Sequence, residues 1–376
     1  MTAKSPIKCF LLDHGYTSQT SGPCCRIDHF QKAWFRPHEK LVSNYTTLHQ
    51  HPHYRMIKST MDAGEWHPSC HDCRDQEDKG LESMRLNHNS HFKTAHDTTA
   101  LVHLTIWTGR ECNLQCRSCH PYCSSSWSQE FLAMEPSLQD GMTFTIDVAE
   151  QQIKQSRYQP DDFSSVKTVM LTGGEPLYNK DCFPLLHLIG DQTNGNCHLI
   201  IQTNCTIAMD FNKFPFLKKF KRISTNCSID AIGTAFEFIR TGGSWAKAKR
   251  NLESYIEAGI HPSFHMTHSA LNLFDTIVAR RWLEQAGVTD SKLQTFVRRP
   301  QHLTYSILTS QEKLSFQRWF DDQNVGTEDR YLLDTVMSYD FDPHLRERFL
   351  QYMDHTKTFH GLDWKEYLPD LYNLMM

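Results

Sequence analysis

The chain has 376 residues, of which 39% are apolar and 22% are charged, and its formal net charge is −4. These values exclude a disordered chain and predict one large folded domain, alone or with a smaller partner. No basic stripe stands out, which argues against a dedicated nucleic-acid-binding surface but leaves a nucleoside substrate open.

The first residues, MTAKSPIKCFLLDHG, contain too short an apolar run for a signal peptide. No stretch reaches the roughly 18 apolar residues of a membrane span. We therefore expect a cytoplasmic protein that does not associate with membranes. Thiols stay reduced in the cytoplasm, so the thirteen cysteines favour metal ligands or catalytic groups over disulfides.

Residues 1–98 are rich in His, Ser, Thr and Asn and show little periodicity. This pattern predicts a small, loop-rich module that depends on a metal for stability. Its cysteines are Cys9, Cys24, Cys25, Cys70 and Cys73. Such thiolates suit either zinc or an iron–sulfur cluster, and we expect one of Cys24 and Cys25, with Cys24 preferred, to join Cys9, Cys70 and Cys73 as ligands.

Strand-like and helical runs alternate over residues 99–305. The predicted strands are 101–107, 166–174, 198–204, 220–230, 260–267 and 293–299, and the predicted helices are 145–158, 184–192, 244–259 and 273–287. This alternation predicts an α/β fold with a parallel sheet, and six strands fit a partial (βα)6 TIM-type barrel. Residues 306–376 read as a helical C-terminal extension that carries no recognisable chemistry.

The densest cysteine cluster is ECNLQCRSCHPYC, residues 111–123, directly after the first predicted barrel strand. In βα barrels the chemistry lies at the carboxyl ends of the strands. Cys112, Cys116 and Cys119 are spaced C-x3-C-x2-C, unlike the paired C-x2-C hooks of zinc sites. Three thiolates can hold three irons of a four-iron cluster and leave the fourth iron open. Cys123 would close that iron, and we therefore predict that it is not a ligand.

The CNLQCRSC loop resembles that of the radical S-adenosylmethionine (radical SAM) enzymes, and Thr172-Gly173-Gly174-Glu175-Pro176 resembles their second motif. The resemblance implies that Gly173, Gly174 and Glu175 hold the amino group of SAM. It also implies contacts of the SAM ribose and carboxylate with polar residues at later strand ends, namely Asn204, Ser228, Asp230 and Arg240. One departure is Ser118, where many members have an aromatic residue beside the adenine.

The resemblance implies a [4Fe-4S] cluster and SAM as cofactors. Reductive cleavage of SAM would give a 5′-deoxyadenosyl radical that abstracts a hydrogen atom from the substrate. A flavodoxin or ferredoxin would supply the electron. No side chain of this chain is assigned a catalytic role.

The N-terminal module resembles the auxiliary-cluster extensions called SPASM and twitch, although those usually follow the barrel. This likeness implies a second [4Fe-4S] cluster on Cys9, Cys24, Cys70 and Cys73 and a peptide or protein side chain as substrate. Two alternatives stay open. One is radical modification of a nucleoside or nucleobase, and the other is a zinc-stabilised binding protein without catalysis.

Overall fold

A computed structural model describes residues 5–18, 22–24, 44–78, 80, 82–92, 100–155, 158–159, 161–290, 295–323 and 325–376. The strands in these ranges are, in chain order, β1 (Gly15–Thr17), β2 (His103–Trp107), β3 (Gln115–Cys116), β4 (Thr168–Thr172), β5 (His198–Thr203), β6 (Arg222–Ser228), β7 (Arg240–Thr241), β8 (His261–His265), β9 (Thr267–His268), β10 (Thr289–Asp290) and β11 (Thr295–Phe296).

The helices in the same ranges lie before, between and after these strands. They are α1 (Phe10–His14), α2 (Tyr45–Leu48), α3 (Pro52–Asp62), α4 (His71–Asp78), α5 (Met84–His91), α6 (Trp127–Ala133), α7 (Ile146–Gln155), α8 (Phe183–Gln192), α9 (Gly233–Ile239), α10 (Trp245–Glu257), α11 (Asp275–Gln285), α12 (Ser310–Asp322), α13 (Thr327–Ser338), α14 (Pro343–His360), α15 (Trp364–Tyr367) and α16 (Pro369–Met375).

The chain divides into two compact units. The first comprises Met1–Gly109, Asp147–Ile201 and Asp210–Ile223, and the second comprises Arg110–Ile146, Gln202–Met209 and Ser224–Met376. Both β5 and β6 therefore contain residues of each unit.

In the first unit the strands run parallel in the order β1-β2-β4-β5. All five residues of β2 are buried, as expected for a strand of a parallel sheet that is covered on both faces. Leu104 and Val169 are paired partners in adjacent strands, and neither is measurably exposed. Leu186 and Ile189 on α8 are equally buried, so the helix contributes its apolar face to the core of this unit.

In the second unit β6, β8 and β10 run parallel in that order. The helices α9 and α10 lie between β6 and β8 along the chain, α11 lies between β8 and β10, and each helix buries apolar side chains. Gly259 and Gly287 follow α10 and α11 with φ values of 71° and 80°. The helices predicted over 244–259 and 273–287 therefore each stop ahead of a glycine, because left-handed backbone suits glycine best.

The predicted α/β class, with parallel strands followed by helices, is confirmed. Five predicted strand runs contain β2, β4, β5, β6 and β8. The sixth predicted strand, 293–299, does not match the strand that joins β8. That strand is β10, which lies before the predicted run, whereas β11 lies inside the run and pairs with β9. β10 begins two residues after Gly287. It therefore lies before the more apolar stretch 293–299, on which the prediction was based.

Residues 1–98 are more helical than their composition indicates. The described part of this segment contains α1 to α5, and Pro52 starts α3 inside the histidine-rich stretch 49–55. The segment also contributes β1, in which Gly15 pairs with His103 of β2. The sequence gives little sign of β1, because three residues are too few to show a period.

Across the described residues, every helix is too short or too polar to pass through a lipid bilayer.

A first prediction concerns Asp275, at the start of α11. Burial and the charge of Asp370 raise its pKa to about 7. The pKa of an aspartate in an unfolded chain is about 3.9. The folded protein therefore loses stability as the pH rises from about 4 to about 7, because the carboxylate must ionise in a buried site. We expect Asp275→Asn to raise the free energy of unfolding, and to raise it more at about pH 8 than at about pH 5.

Urea denaturation at both pH values measures this difference. Asp334→Asn, at an exposed position, is the matched control and should change little at either pH. Equal gains for Asp275→Asn at the two pH values would contradict the assignment.

Candidate functional site

The cysteine loop belongs to the second unit, and hydrogen bonds fix its backbone. The amide of Cys112 donates to Ser125 Oγ at 3.3 Å, and Ser126 Oγ donates to the carbonyl of Cys112 at 2.5 Å. Cys116 lies in β3 and pairs with Arg240 of β7. The amide of Cys119 donates to the Cys116 carbonyl at 2.8 Å, which closes a turn between these two cysteines.

The thiols of the loop influence one another. Burial raises the pKa of Cys119 well above its usual value, and the nearby charges of Cys123, Cys116 and Cys112 raise it further. Burial also raises the pKa of Cys116. Thiolates in this setting need a neighbouring cation to form at neutral pH, and bound iron supplies one. The loop therefore fits an iron–sulfur cluster.

Cys123 follows the three predicted ligands in the chain and contacts His120. Its amide donates to the His120 carbonyl at 2.9 Å, and its sulfur is 3.4 Å from His120 Nε2. Burial raises its pKa to about 11. The charge of Cys123 also raises the pKa of Cys119. Its exclusion from the cluster stays a prediction.

Arg240 and Asp230 lie beside the loop in the same unit. Arg240 Nη2 is 2.8 Å from Asp230 Oδ2, and Arg240 Nη1 is 3.6 Å from the sulfur of Cys116. Asp230 Oδ1 accepts a hydrogen bond from the amide of Thr267 at 2.8 Å. The buried Nε of Arg240 has no hydrogen-bond partner within the described ranges. This orphaned donor beside the thiols suits an anionic ligand such as a carboxylate.

Asn204 holds the cysteine loop from the end of β5. Its Nδ2 donates to Asn113 Oδ1 at 3.0 Å and lies 3.8 Å from the sulfur of Cys112. Its Oδ1 accepts from Thr206 Oγ1 at 2.6 Å, and Asn113 Nδ2 donates to that same hydroxyl at 2.9 Å. Sequence reasoning missed Asn113 and Thr206, although an Asn beside the first cysteine and a Thr two residues after Asn204 were visible signals. Ser228 ends β6, is half-buried and pairs with His265.

A buried ion pair supports the loop from behind. Arg117 contacts both carboxylate oxygens of Glu130, at 2.7 and 3.1 Å, and neither side chain is exposed. His360 Nε2 lies 2.9 Å from Glu130 Oε2, and His355 Nε2 lies 3.4 Å from Oε1. Burial alone would raise the pKa of Glu130, but these two histidines and Arg117 lower it well below its usual value. Glu130 is therefore ionised and balances the charge of Arg117.

The Gly-Gly-Glu motif belongs to the first unit and ends β4. Gly173 has a φ of 126°, and a Cβ on it would lie 2.6 Å from the carbonyl oxygen of Gly109. The amide of Gly174 donates to that carbonyl at 2.9 Å. Gly173 is thus required by the close approach of the Gly109 backbone and by its own positive φ. Glu175 is fully buried.

The N-terminal thiols also belong to the first unit, and three of them influence one another. Burial and the charge of Cys73 raise the pKa of Cys9 to about 11. Burial, Cys9 and Cys73 raise the pKa of Cys70 to about 12. Cys24 and Cys9 pack against the same small cluster of Phe10, Leu11 and Val102.

Cys25, the alternative to Cys24, lies outside the described residues. Over the parts of the chain that the structure describes, no three His, Cys, Asp or Glu side chains form a group that could hold a metal ion. A four-iron cluster differs from a single metal ion, because each of its irons binds one thiolate and the thiolates need not converge on one point.

The remaining cysteines behave as small apolar residues, as their isolation in the sequence predicts. Cys182, Cys197, Cys205 and Cys227 are all buried.

Comparison with known proteins gives one family match. Residues 108–275 match the family described as the radical SAM superfamily. No curated protein matches the chain.

Several solved structures are similar to parts of the chain. One is native anSMEcpe with bound AdoMet and Cp18Cys peptide, at 14% identity and a TM-score of 0.35, over 59% of this chain and 60% of that one. Native anSMEcpe with bound AdoMet gives 15% identity and a TM-score of 0.36, over 59% and 62%. SuiB of Streptococcus suis, bound to precursor peptide SuiA, gives 13% identity and a TM-score of 0.35, over 76% and 64%. The chain thus spans about 60% of the length of the first of these proteins.

A second prediction tests the crowding at Gly173. We expect Gly173→Ala to lower the free energy of unfolding by at least the roughly 1–3 kcal/mol of a strained backbone, because its methyl group would collide with Gly109. Gly259→Ala is the matched control, since Gly259 also has a positive φ but nothing lies within 4 Å of its Cβ position. The control should cost only about 1 kcal/mol. If urea denaturation shows that both variants lose the same free energy of unfolding, crowding is not the reason that position 173 requires glycine.

A third prediction tests the buried ion pair. We expect Glu130→Gln to lower the free energy of unfolding by about 3–5 kcal/mol, because it leaves the charge of Arg117 buried without compensation. Glu135→Gln, at an exposed position, is the control and should stay within about 0.5 kcal/mol of the parent.

The double variant Arg117→Met with Glu130→Gln should recover part of that loss, since it removes both charges. If Glu130→Gln alone is as stable as the parent, the ion pair does not stabilise the fold.

Proposed function

Because residues 108–275 match the radical SAM superfamily, we propose that the chain is an enzyme that cleaves SAM reductively and abstracts a hydrogen atom from its substrate. A [4Fe-4S] cluster would supply the electron that releases the 5′-deoxyadenosyl radical from bound SAM. The observation that carries the proposal is the C-x3-C-x2-C loop, whose thiols lie within one another's electrostatic influence and whose backbone is fixed by hydrogen bonds.

Each part of the second unit has a distinct proposed task. Cys112, Cys116 and Cys119 would ligate three irons. Arg240 would bind the carboxylate of SAM, and its unsatisfied Nε supports this role. Asp230 would then hold the guanidinium in place through their ion pair. Asn204 would fix the loop, which is a different role from the ribose contact that the family resemblance implies.

The remaining SAM contacts are proposed on the motifs alone. Gly173, Gly174 and Glu175 would bind the amino group of SAM, since a carboxylate and a strand-end carbonyl satisfy an ammonium group. Ser228 would contact the ribose or carboxylate.

A second [4Fe-4S] cluster is proposed on Cys9, Cys24, Cys70 and Cys73. The mutual influence of Cys9, Cys70 and Cys73 supports it, as does the packing of Cys24 and Cys9 against the same apolar cluster. The auxiliary-type arrangement of these thiols favours a peptide or protein side chain as substrate. A flavodoxin or ferredoxin is the proposed electron donor, and the cytoplasm the proposed location.

Our fourth prediction concerns the metal content, which is measured after anaerobic purification. We expect a brown protein with about eight irons per chain, which forms 5′-deoxyadenosine from SAM when reduced with dithionite. Cys112→Ala, Cys116→Ala and Cys119→Ala should each abolish SAM cleavage and leave about four irons. Cys123→Ala should keep both clusters and the activity.

The outcomes separate the candidate functions. A colourless protein that contains zinc would refute the enzyme and favour the binding protein. Loss of the SAM-cleaving cluster in Cys123→Ala would instead make Cys123 a ligand.

The substrate class can be tested with deuterated candidates. A peptide substrate should transfer deuterium to 5′-deoxyadenosine, whereas transfer from nucleosides alone would favour nucleoside modification. Peptide libraries and nucleoside mixtures can be compared with the same mass-spectrometric readout.

A further inference from the structure

We propose that Arg85 is the positioning residue of the N-terminal thiol site: it holds the segments that carry Cys9, Cys70 and Cys73 together and raises the reduction potential of the cluster they bind. This inference rests on the proposed second cluster. It adds a residue that the cysteine pattern does not point to.

The first contact of Arg85 is with the segment that carries Cys9. Arg85 Nη1 donates to the carbonyl of Lys8 at 2.7 Å. Asn89, one turn further along α5, donates to that carbonyl at 2.9 Å and accepts from the amide of Phe10 at 2.7 Å. The residues on either side of Cys9 are therefore bound to one helix, which fixes the backbone from which the Cys9 thiol projects.

The second contact of Arg85 is with the helix that carries Cys73. Arg85 Nε donates to Glu77 Oε1 at 2.9 Å, and Nη2 bonds the other carboxylate oxygen. Glu77 follows Cys73 by four residues on α4, so both side chains lie on the same face of this helix. Ser83 Oγ also donates to Glu77 Oε1, at 2.5 Å. Arg85 thereby joins α4 to the Cys9 segment.

Cys70 is attached to the same framework. It ends a short 3-10 turn, Pro68–Cys70, that leads directly into α4. The ring of Trp66 packs against the Arg85 guanidinium at 5.3 Å from its centroid. The Arg85–Glu77 pair is largely buried, with 14% and 16% of the two side chains exposed, which limits screening by water and salt.

The charge of Arg85 acts on the thiols that it positions. Arg85 Nη1 bonds the carbonyl of Lys8, the residue before Cys9, and its guanidinium pairs with Glu77 on the helix that carries Cys73, so its positive charge lies beside the segments that hold the thiols. A cluster becomes more negative when it is reduced, and a nearby cation stabilises the reduced form. Arg85 should therefore raise the reduction potential, while Glu77 should partly offset it.

The experiment, which is our fifth prediction, uses the full chain with Cys112, Cys116 and Cys119 replaced by Ala, so that only the second cluster gives a signal. Iron content and the midpoint potential are measured by metal analysis and by a redox titration followed by electron paramagnetic resonance. Arg85→Gln should move the midpoint to more negative values, and Glu77→Gln should move it to more positive values. Arg85→Lys keeps the charge, so it should stay closer to the parent potential and retain more iron than Arg85→Gln.

Arg74→Gln is the matched control, because Arg74 lies on α4 in an exposed pair with Asp78. It should leave the iron content and the potential unchanged. Opposite shifts for Arg85→Gln and Glu77→Gln, or iron lost in Arg85→Gln and largely kept in Arg85→Lys, would support the proposal.

The proposal fails if Arg85→Gln and Glu77→Gln both keep the iron and the parent potential, or if both shift the potential in the same direction. Should Arg85→Gln not fold, the sign of the Glu77→Gln shift decides. A parent chain that holds no second cluster would instead refute the proposed cluster itself.

Discussion

The candidate site depends on one constraint, which is that several thiols share a partly buried loop. Each thiolate is disfavoured by burial, and each makes its neighbours harder to ionise, as at Cys119. The protein places cations near both groups of thiols: Arg240 lies beside Cys116, and Arg85 influences Cys9 and Cys70. Each arginine in turn pairs with a carboxylate, Asp230 or Glu77. Both groups of thiols are thus accompanied by the same kind of ion pair.

The sequence predicted much of this arrangement because its strongest signals are local. The cysteine spacing lies within eight residues, the Gly-Gly-Glu motif within three, and each barrel strand within one short apolar run. These features need no knowledge of distant partners. The α/β fold and the position of the cysteine loop after β2 followed from them. The iron ligands, the exclusion of Cys123 and all of the SAM contacts stay predictions.

The contacts that sequence reasoning missed join residues far apart in the chain. Glu130 and His360 are separated by 230 positions, and Asn113 and Asn204 by 91. Nothing in the local pattern around Arg117 distinguishes a buried arginine from a solvated one. The sequence assigns no chemistry to residues 306–376, yet His360 of α14 contacts the carboxylate that balances Arg117. Arg85 was visible in the sequence, but its role depends on Lys8 and Glu77, which only the fold brings near it.

The pairing of β3 with β7 has a consequence for how this sequence can change over evolution. Cys116 faces Arg240 through a backbone ladder, and Asp230 precedes the short helix α9 that ends just before Arg240. The helix therefore acts as a spacer of fixed length between the two members of an ion pair. Adding or removing one residue in α9 would rotate everything after it by about 100° around the helix axis. Substitutions can accumulate on the exposed face of this segment, whereas insertions and deletions within it would separate the arginine from both its carboxylate and its thiol.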